Sequence, residues 1–221
     1  GFNLESHRGA AREQLRRERP YLLIASPMCA KFSSLQNLVK HGSEEEKQEA
    51  VAKAAVHIRF VLEELVPDQI NRGGKFLFEQ PWSASSWKEP CATALLPEPG
   101  VQRVRGDQCM YGQSVQGTPF QKATGWMTND ELIAVAVARR CNGEHPHKHL
   151  VGGLAPQCER YPPKLVAAIL KALRRSLRQS GRGEACGVGR GAAVAGGGAG
   201  RLPRQLLEQR RAPRLLARMG L

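Results

Sequence analysis

Apolar residues occur along this chain in short continuous runs, and the stretches between the runs carry helical periodicity. Residues 8–19 (RGAAREQLRRER) predict a charged helix that Pro20 stops. The next five residues, Tyr21-Leu22-Leu23-Ile24-Ala25, have strand length and no polar alternation. Such a run predicts a parallel strand buried on both faces. Residues 44–66 (EEEKQEAVAKAAVHIRFVLEELV) give the strongest helical pattern, with acidic residues at the start where they complement the macrodipole. Pro67 is expected to close this helix.

After Gly73-Gly74, the run Lys75-Phe76-Leu77-Phe78-Glu79 predicts a second buried strand. A short helix is expected within 82–92, strands at 101–106 and 123–128, and a short helix or strand at 131–139. Residues 113–121 are polar and loop-like. Tyr161-Pro162-Pro163 introduces a basic amphipathic helix over 164–179, with Pro at its first turn. Strand alternating with helix predicts an α/β fold with a mostly parallel sheet and flanking helices. Ligands of such sheets sit at the carboxyl ends of the strands. Two of these ends carry reactive side chains, Cys29 after the first strand and Glu79 in the second. Residues 1–180 therefore form the expected domain. Residues 181–221 are a low-complexity Gly/Ala/Arg tail, expected outside the fold, with a possible short helix at its end.

Charge adds a partner class. Lys+Arg number 33 against 20 Asp+Glu, for a net charge of +13. That balance favours a polyanion such as DNA, although an Arg-rich composition alone produces it too. The excess is not one block, since 181–221 hold eight Arg against two acids and the rest lies upstream. The six cysteines (29, 91, 109, 141, 158, 186) are widely spaced without a CxxC, which implies a reducing, intracellular setting rather than a disulfide framework. No apolar run reaches membrane-spanning length and no signal peptide pattern opens the chain. The start at Gly-Phe-Asn, without Met, reads as a fragment of something longer.

Three segments carry candidate chemistry. In Ser26-Pro27-Met28-Cys29-Ala30-Lys31-Phe32-Ser33 a thiol stands just past a strand end, next to a cation that favours its thiolate. Taken alone, Cys29 reads more readily as a small buried apolar side chain. In Phe78-Glu79-Gln80-Pro81 a carboxyl group ends an apolar strand, where it needs a partner such as a ring nitrogen. Gln108-Cys109-Met110-Tyr111-Gly112 and the segment 122–129 supply polar and cationic groups suited to phosphate or base contacts. A fourth cluster, Cys141, His145, His147 and His149 with Cys158 beyond, has zinc-ligand residue types, of which Cys141, His145, His147 and Cys158 are the candidate set. Its spacing matches no common zinc motif, and a polar surface loop is the simpler reading.

Taken in order, these segments resemble the cytosine-specific DNA methyltransferases that make 5-methylcytosine. SPMCAKFS is similar to that family's Ser-Pro-Pro-Cys-x-x-Phe-Ser, with Met28 in place of the second Pro. Glu79-Gln80-Pro81 looks like its Glu-Asn pair, with Gln80 in place of Asn. Tyr111-Gly112, Lys122-Ala123-Thr124, Thr128-Asn129 and Pro162-Pro163 resemble later elements of phage-like members. The chain is also similar to methylase-like modules of retroelement polyproteins. The resemblance covers roughly residues 3–175.

It implies a Rossmann-like methyltransferase fold, incomplete at its amino end, acting on DNA in the nucleus or nucleoid. Cys29 would attack carbon 6 of a flipped-out cytosine while Glu79 contacts N3 and the amino group. Ser26, Pro27, Ser33, Gln80, Lys122 and Thr124 would line the substrate side. The cofactor implied is S-adenosylmethionine. The glycine-rich loop that binds it in the family would precede Gly1, and the late Gly187-to-Gly200 stretch has no strand–helix context to replace it. A chain inactive without that loop is therefore expected. The alternative is a non-catalytic, basic nucleic-acid-binding module of a mobile element.

Overall fold

The computed structural model describes residues 4–27, 32, 43–148, 159–182 and 216–219. The apolar runs become strands β1 (Leu22–Ala25), β2 (Lys75–Pro81) and β3 (Gln102–Asp107). A two-strand hairpin of β4 (Ser114–Val115) and β5 (Thr118–Pro119) follows, then β6 (Ala123–Thr128). The central sheet runs β3-β6-β2-β1. A last strand, β7 (Leu216–Met219), pairs in parallel along the outer side of β1. This is a strand where a short helix is expected. The free edge of β1 offers backbone partners that an isolated Arg/Leu-rich helix would not use.

The sheet is mixed rather than mostly parallel. β1 and β2 pair in parallel, from Leu22 opposite Lys75 to Ala25 opposite Phe78. β6 is antiparallel to both β2 and β3, so β3 runs in the direction of β1 and β2. The connections explain the reversal. Helices lie between β1 and β2 and between β2 and β3, and they return the chain to the starting edge as parallel strands require. Between β3 and β6 there is only a 3-10 turn (Gln108–Tyr111) and the hairpin. The chain stays at the same edge, and β6 has to run back.

Helices cover both faces. α1 (Glu5–Glu18), α2 (Glu44–Arg59), α3 (Val66–Asn71) and α4 (Pro90–Leu95) take one side, while α5 (Glu131–Val137) and α6 (Pro163–Gln179) take the other. Strand residues alternate between the two layers because successive side chains point oppositely. Leu23, Ala25, Phe76, Phe78 and Met127 pack beneath the first group. Leu22, Ile24, Leu77 and Trp126 pack beneath the second. On α6 the buried positions Leu165, Ile169, Ala172, Leu173, Ser176 and Leu177 form one stripe at helical spacing. Each fully buried large side chain contributes roughly 1.5–3 kcal/mol.

Pro67 does not end the long helix. α2 opens with a capping box, in which Ser43 Oγ accepts from Glu46 N and Glu46 accepts from Ser43 N. It then passes into a π-helical turn, Phe60–Leu65, and continues as α3 with Pro67 in the first turn. The π turn shifts the bonding register, Val66 N reaching Val61 O, so the missing amide of Pro67 falls where no bond is needed. Among the described residues no helix is long and apolar enough to cross a membrane.

Candidate functional site

Because β1, β2 and β3 run together and β6 runs against them, one edge of the sheet gathers four chain segments. These are Ser26-Pro27 leaving β1, Glu79 to Pro81 ending β2, Gly106-Asp107 ending β3, and Ala123-Thr124 opening β6. Cys29 and Ser33 lie outside the described residues, as does Cys158.

Glu79 is 5% exposed and faces Trp126 across the β2–β6 pair. Extending the β1–β2 register one residue past Ala25 and Phe78 sets Ser26 beside Glu79. The Ser26 hydroxyl shares a hydrogen bond with the Tyr161 hydroxyl, and the Tyr161 ring stands edge-on to Trp126 at 5.5 Å. The Pro-Pro segment before α6 is thus brought to the exit of β1. Glu79, Trp126, Tyr161 and Ser26 are thus neighbours at the strand ends.

Gln80 projects to the opposite face and is fully buried. Its Nε2 donates to Pro27 O at 2.8 Å, and its Oε1 accepts from Ser86 Oγ at 3.2 Å. The amide expected to contact substrate is instead engaged in holding the β1 exit against β2. Thr124 is likewise buried, its hydroxyl accepting from Gln108 Nε2 at 3.0 Å and donating to Lys122 O. Lys122 also accepts from Gln108 N through its carbonyl. These two segments brace each other rather than facing outward. Gly125 is required by close approach, since a Cβ there would stand 2.7 Å from the Trp87 ring.

At the β3 corner of the same edge, Cys109, Cys141, His145 and His147 bring their Sγ and ring nitrogen atoms within 4.8 Å of one another. Cys141, His145 and His147 thus stand together as expected, Cys109 joins them, and His149 and Cys158 lie outside the described residues. Burial pushes the Cys109 thiol up to about 12, with the neighbouring Cys141 thiol and Asp107 adding to the effect. Asp107 is 1% exposed and accepts from Cys141 N at 2.9 Å and from Arg105. The chain separation of Cys109 and Cys141 hid the pairing, which arises only because Asp107 N donates to Arg139 O and docks the two segments.

A cavity of about 980 Å³ lies elsewhere. It is a groove between α5 and α6 that includes Tyr21, Lys75, Gln102 and Asn129, residues at the amino edge of the strands. S-adenosylmethionine finds no cradle among the described residues, because no glycine-rich strand-to-helix turn stands at the carboxyl edge. Gly73-Gly74 precedes β2 at the opposite edge, where a Cβ on Gly74 would meet the Gln69 amide at 2.3 Å. No protein-family model, curated protein or solved structure matches the chain.

Proposed function

We propose that the carboxyl edge of the sheet is the cytosine-binding half of a DNA methyltransferase-type site, with Cys29 as nucleophile and Glu79 as the group that recognises the ring. The observation that carries this reading is the Gln80–Pro27 hydrogen bond, which ties the segment leading to Cys29 onto the strand that holds Glu79. Cys29 follows Pro27 by two residues, and two residues of chain span at most about 7 Å. Three co-directional strands with helices on both faces also support a Rossmann-like reading, with β6 as its one reversed member.

In this reading the Cys29 thiolate adds to carbon 6 of an extruded cytosine. The S–C6 bond forms as the C5=C6 pair moves toward N3, where Glu79 contacts N3 and the amino group and stabilises the charge that develops. Carbon 5 then takes a proton from water, and the reverse sequence returns the ring and the thiolate. In the family the methyl group comes from S-adenosylmethionine. The described residues do not fit that cofactor, so no step here runs through it.

A second reading is a basic nucleic-acid-binding module without chemistry. The net charge of +13 and the internal engagement of Thr124 favour it. DNA carrying 2-pyrimidinone at a cytosine position separates the two, since that ring accepts thiols at carbon 6 without a cofactor. The first reading predicts a denaturant-resistant adduct that maps to Cys29 and is lost in Cys29→Ala. Binding with no adduct supports the second.

A further inference from the structure

We propose that Cys109, Cys141, His145 and His147 bind one zinc ion as a closed structural site that fastens the irregular segment 139–148 to the end of β3. The inference is independent of the methyltransferase reading. It rests on the identity of the donors, their distances and the way the chain delivers them.

Two thiols and two imidazoles form a soft N/S set, which selects zinc among common divalent ions. In a zinc tetrahedron with bonds of about 2.0–2.3 Å, neighbouring donor atoms stand roughly 3.3–3.8 Å apart. Cys141 Sγ lies 3.6 Å from His145 Nε2 and 3.5 Å from His147 Nε2. The two rings are angled at 69° with centroids 4.6 Å apart, so they converge through their Nε2 atoms rather than stacking. All four donors come from the protein, which leaves no open position for substrate and makes the site structural.

The surroundings are those of a ligand shell. Gly143 N donates to Cys141 Sγ at 3.4 Å, a bond that favours thiolate. Asp107 holds the Cys141 backbone through a carboxylate that also meets Arg105 and Arg140. Such outer partners orient metal ligands. Residues 139–148 contain neither helix nor strand, and Lys148 N donates to Pro119 O in the β4–β5 hairpin. A metal joining this segment to the 3-10 turn after β3 supplies the fastening that regular structure does not. The ends of β3 and β2 are two strand spacings apart, about 10 Å, so the fastened segment walls one side of the edge that carries Glu79.

The test is metal analysis of the full chain, purified folded with reduced thiols, followed by cobalt titration. About one zinc per chain is expected, and cobalt should give tetrahedral d–d bands with a thiolate-to-metal charge-transfer band. Cys109→Ser and His147→Ala should each lower zinc affinity by more than the roughly 10–100-fold that loss of an outer partner costs. Cys158→Ser should leave it unchanged. If a variant fails to fold, thiol alkylation of the native chain replaces it: zinc should shield Cys109 and Cys141 together, and a chelator should expose both. A folded, reduced chain with neither zinc nor a cobalt spectrum overturns the proposal. So does a cobalt spectrum that survives Cys109→Ser and disappears in Cys158→Ser.

Discussion

Two neighbouring residues of β2 perform opposite tasks. Glu79 turns toward Trp126 and the β1 exit, while Gln80 turns away and spends its amide on Pro27 and Ser86. Gln80→Leu keeps the volume and leaves a buried carbonyl and hydroxyl without partners, at about 2–3 kcal/mol. Urea unfolding should show that loss. On the proposed reading the same variant should lose roughly 10- to 100-fold in thiol addition, because Pro27, two residues before Cys29, is no longer tied to β2. An unchanged addition rate would show that the tie has no bearing on the site. Glu79 was legible as a carboxyl group at the end of an apolar run. The role of Gln80 was not, because pattern shows where a side chain sits along a strand and not which distant carbonyl it will meet. Cys109 was missed for the same reason, its partners lying more than thirty residues onward.

At the scale of elements, apolar runs disclosed which segments become strands but not their direction. β6 reads like its parallel neighbours because it too is buried on both faces, and only the short path from β3 dictates that it runs back. Pro67 misled for a related reason, since the rule that proline stops a helix assumes unbroken α register and the π turn shifts it. The second layer is held by a polar link legible only in three dimensions. Asp130 caps α5 by accepting from Ile133 N at 3.0 Å, accepts from Ser176 of α6, and Ser176 meets the Tyr21 hydroxyl at 2.8 Å. Asp130→Ala removes the cap, about 1 kcal/mol, and one of the two hydrogen bonds of the Ser176 hydroxyl, about 0.5–1.5 more. A fall in urea-derived stability of about 1.5–2.5 kcal/mol is expected. A change under about 0.5 kcal/mol would mean that this link does not hold α5 and α6 to the sheet.

For the whole molecule, the two layers make stability depend on groups far from the edge site. His57 of α2 is buried, and burial, with the Arg8 charge adding, holds its imidazole below the usual histidine range. The unfolded chain then binds the proton more readily than the folded one. Stability should fall as pH drops from the ordinary histidine range toward the depressed value, and the contribution should be absent above that range. His57→Phe should flatten this part of the urea-midpoint profile between about pH 7 and 5. An identical profile in the variant would assign the slope to other groups.

The central claim concerns what the carboxyl edge does to a cytosine, and hydrogen exchange at carbon 5 tests it without any cofactor. DNA labelled with tritium at that position is incubated with the full chain, and release to water is followed over time. The account predicts release above background, abolished in Cys29→Ala and reduced on the order of 100-fold in Glu79→Gln. Release that persists in Cys29→Ala, or none from a folded chain that binds the DNA, would contradict it.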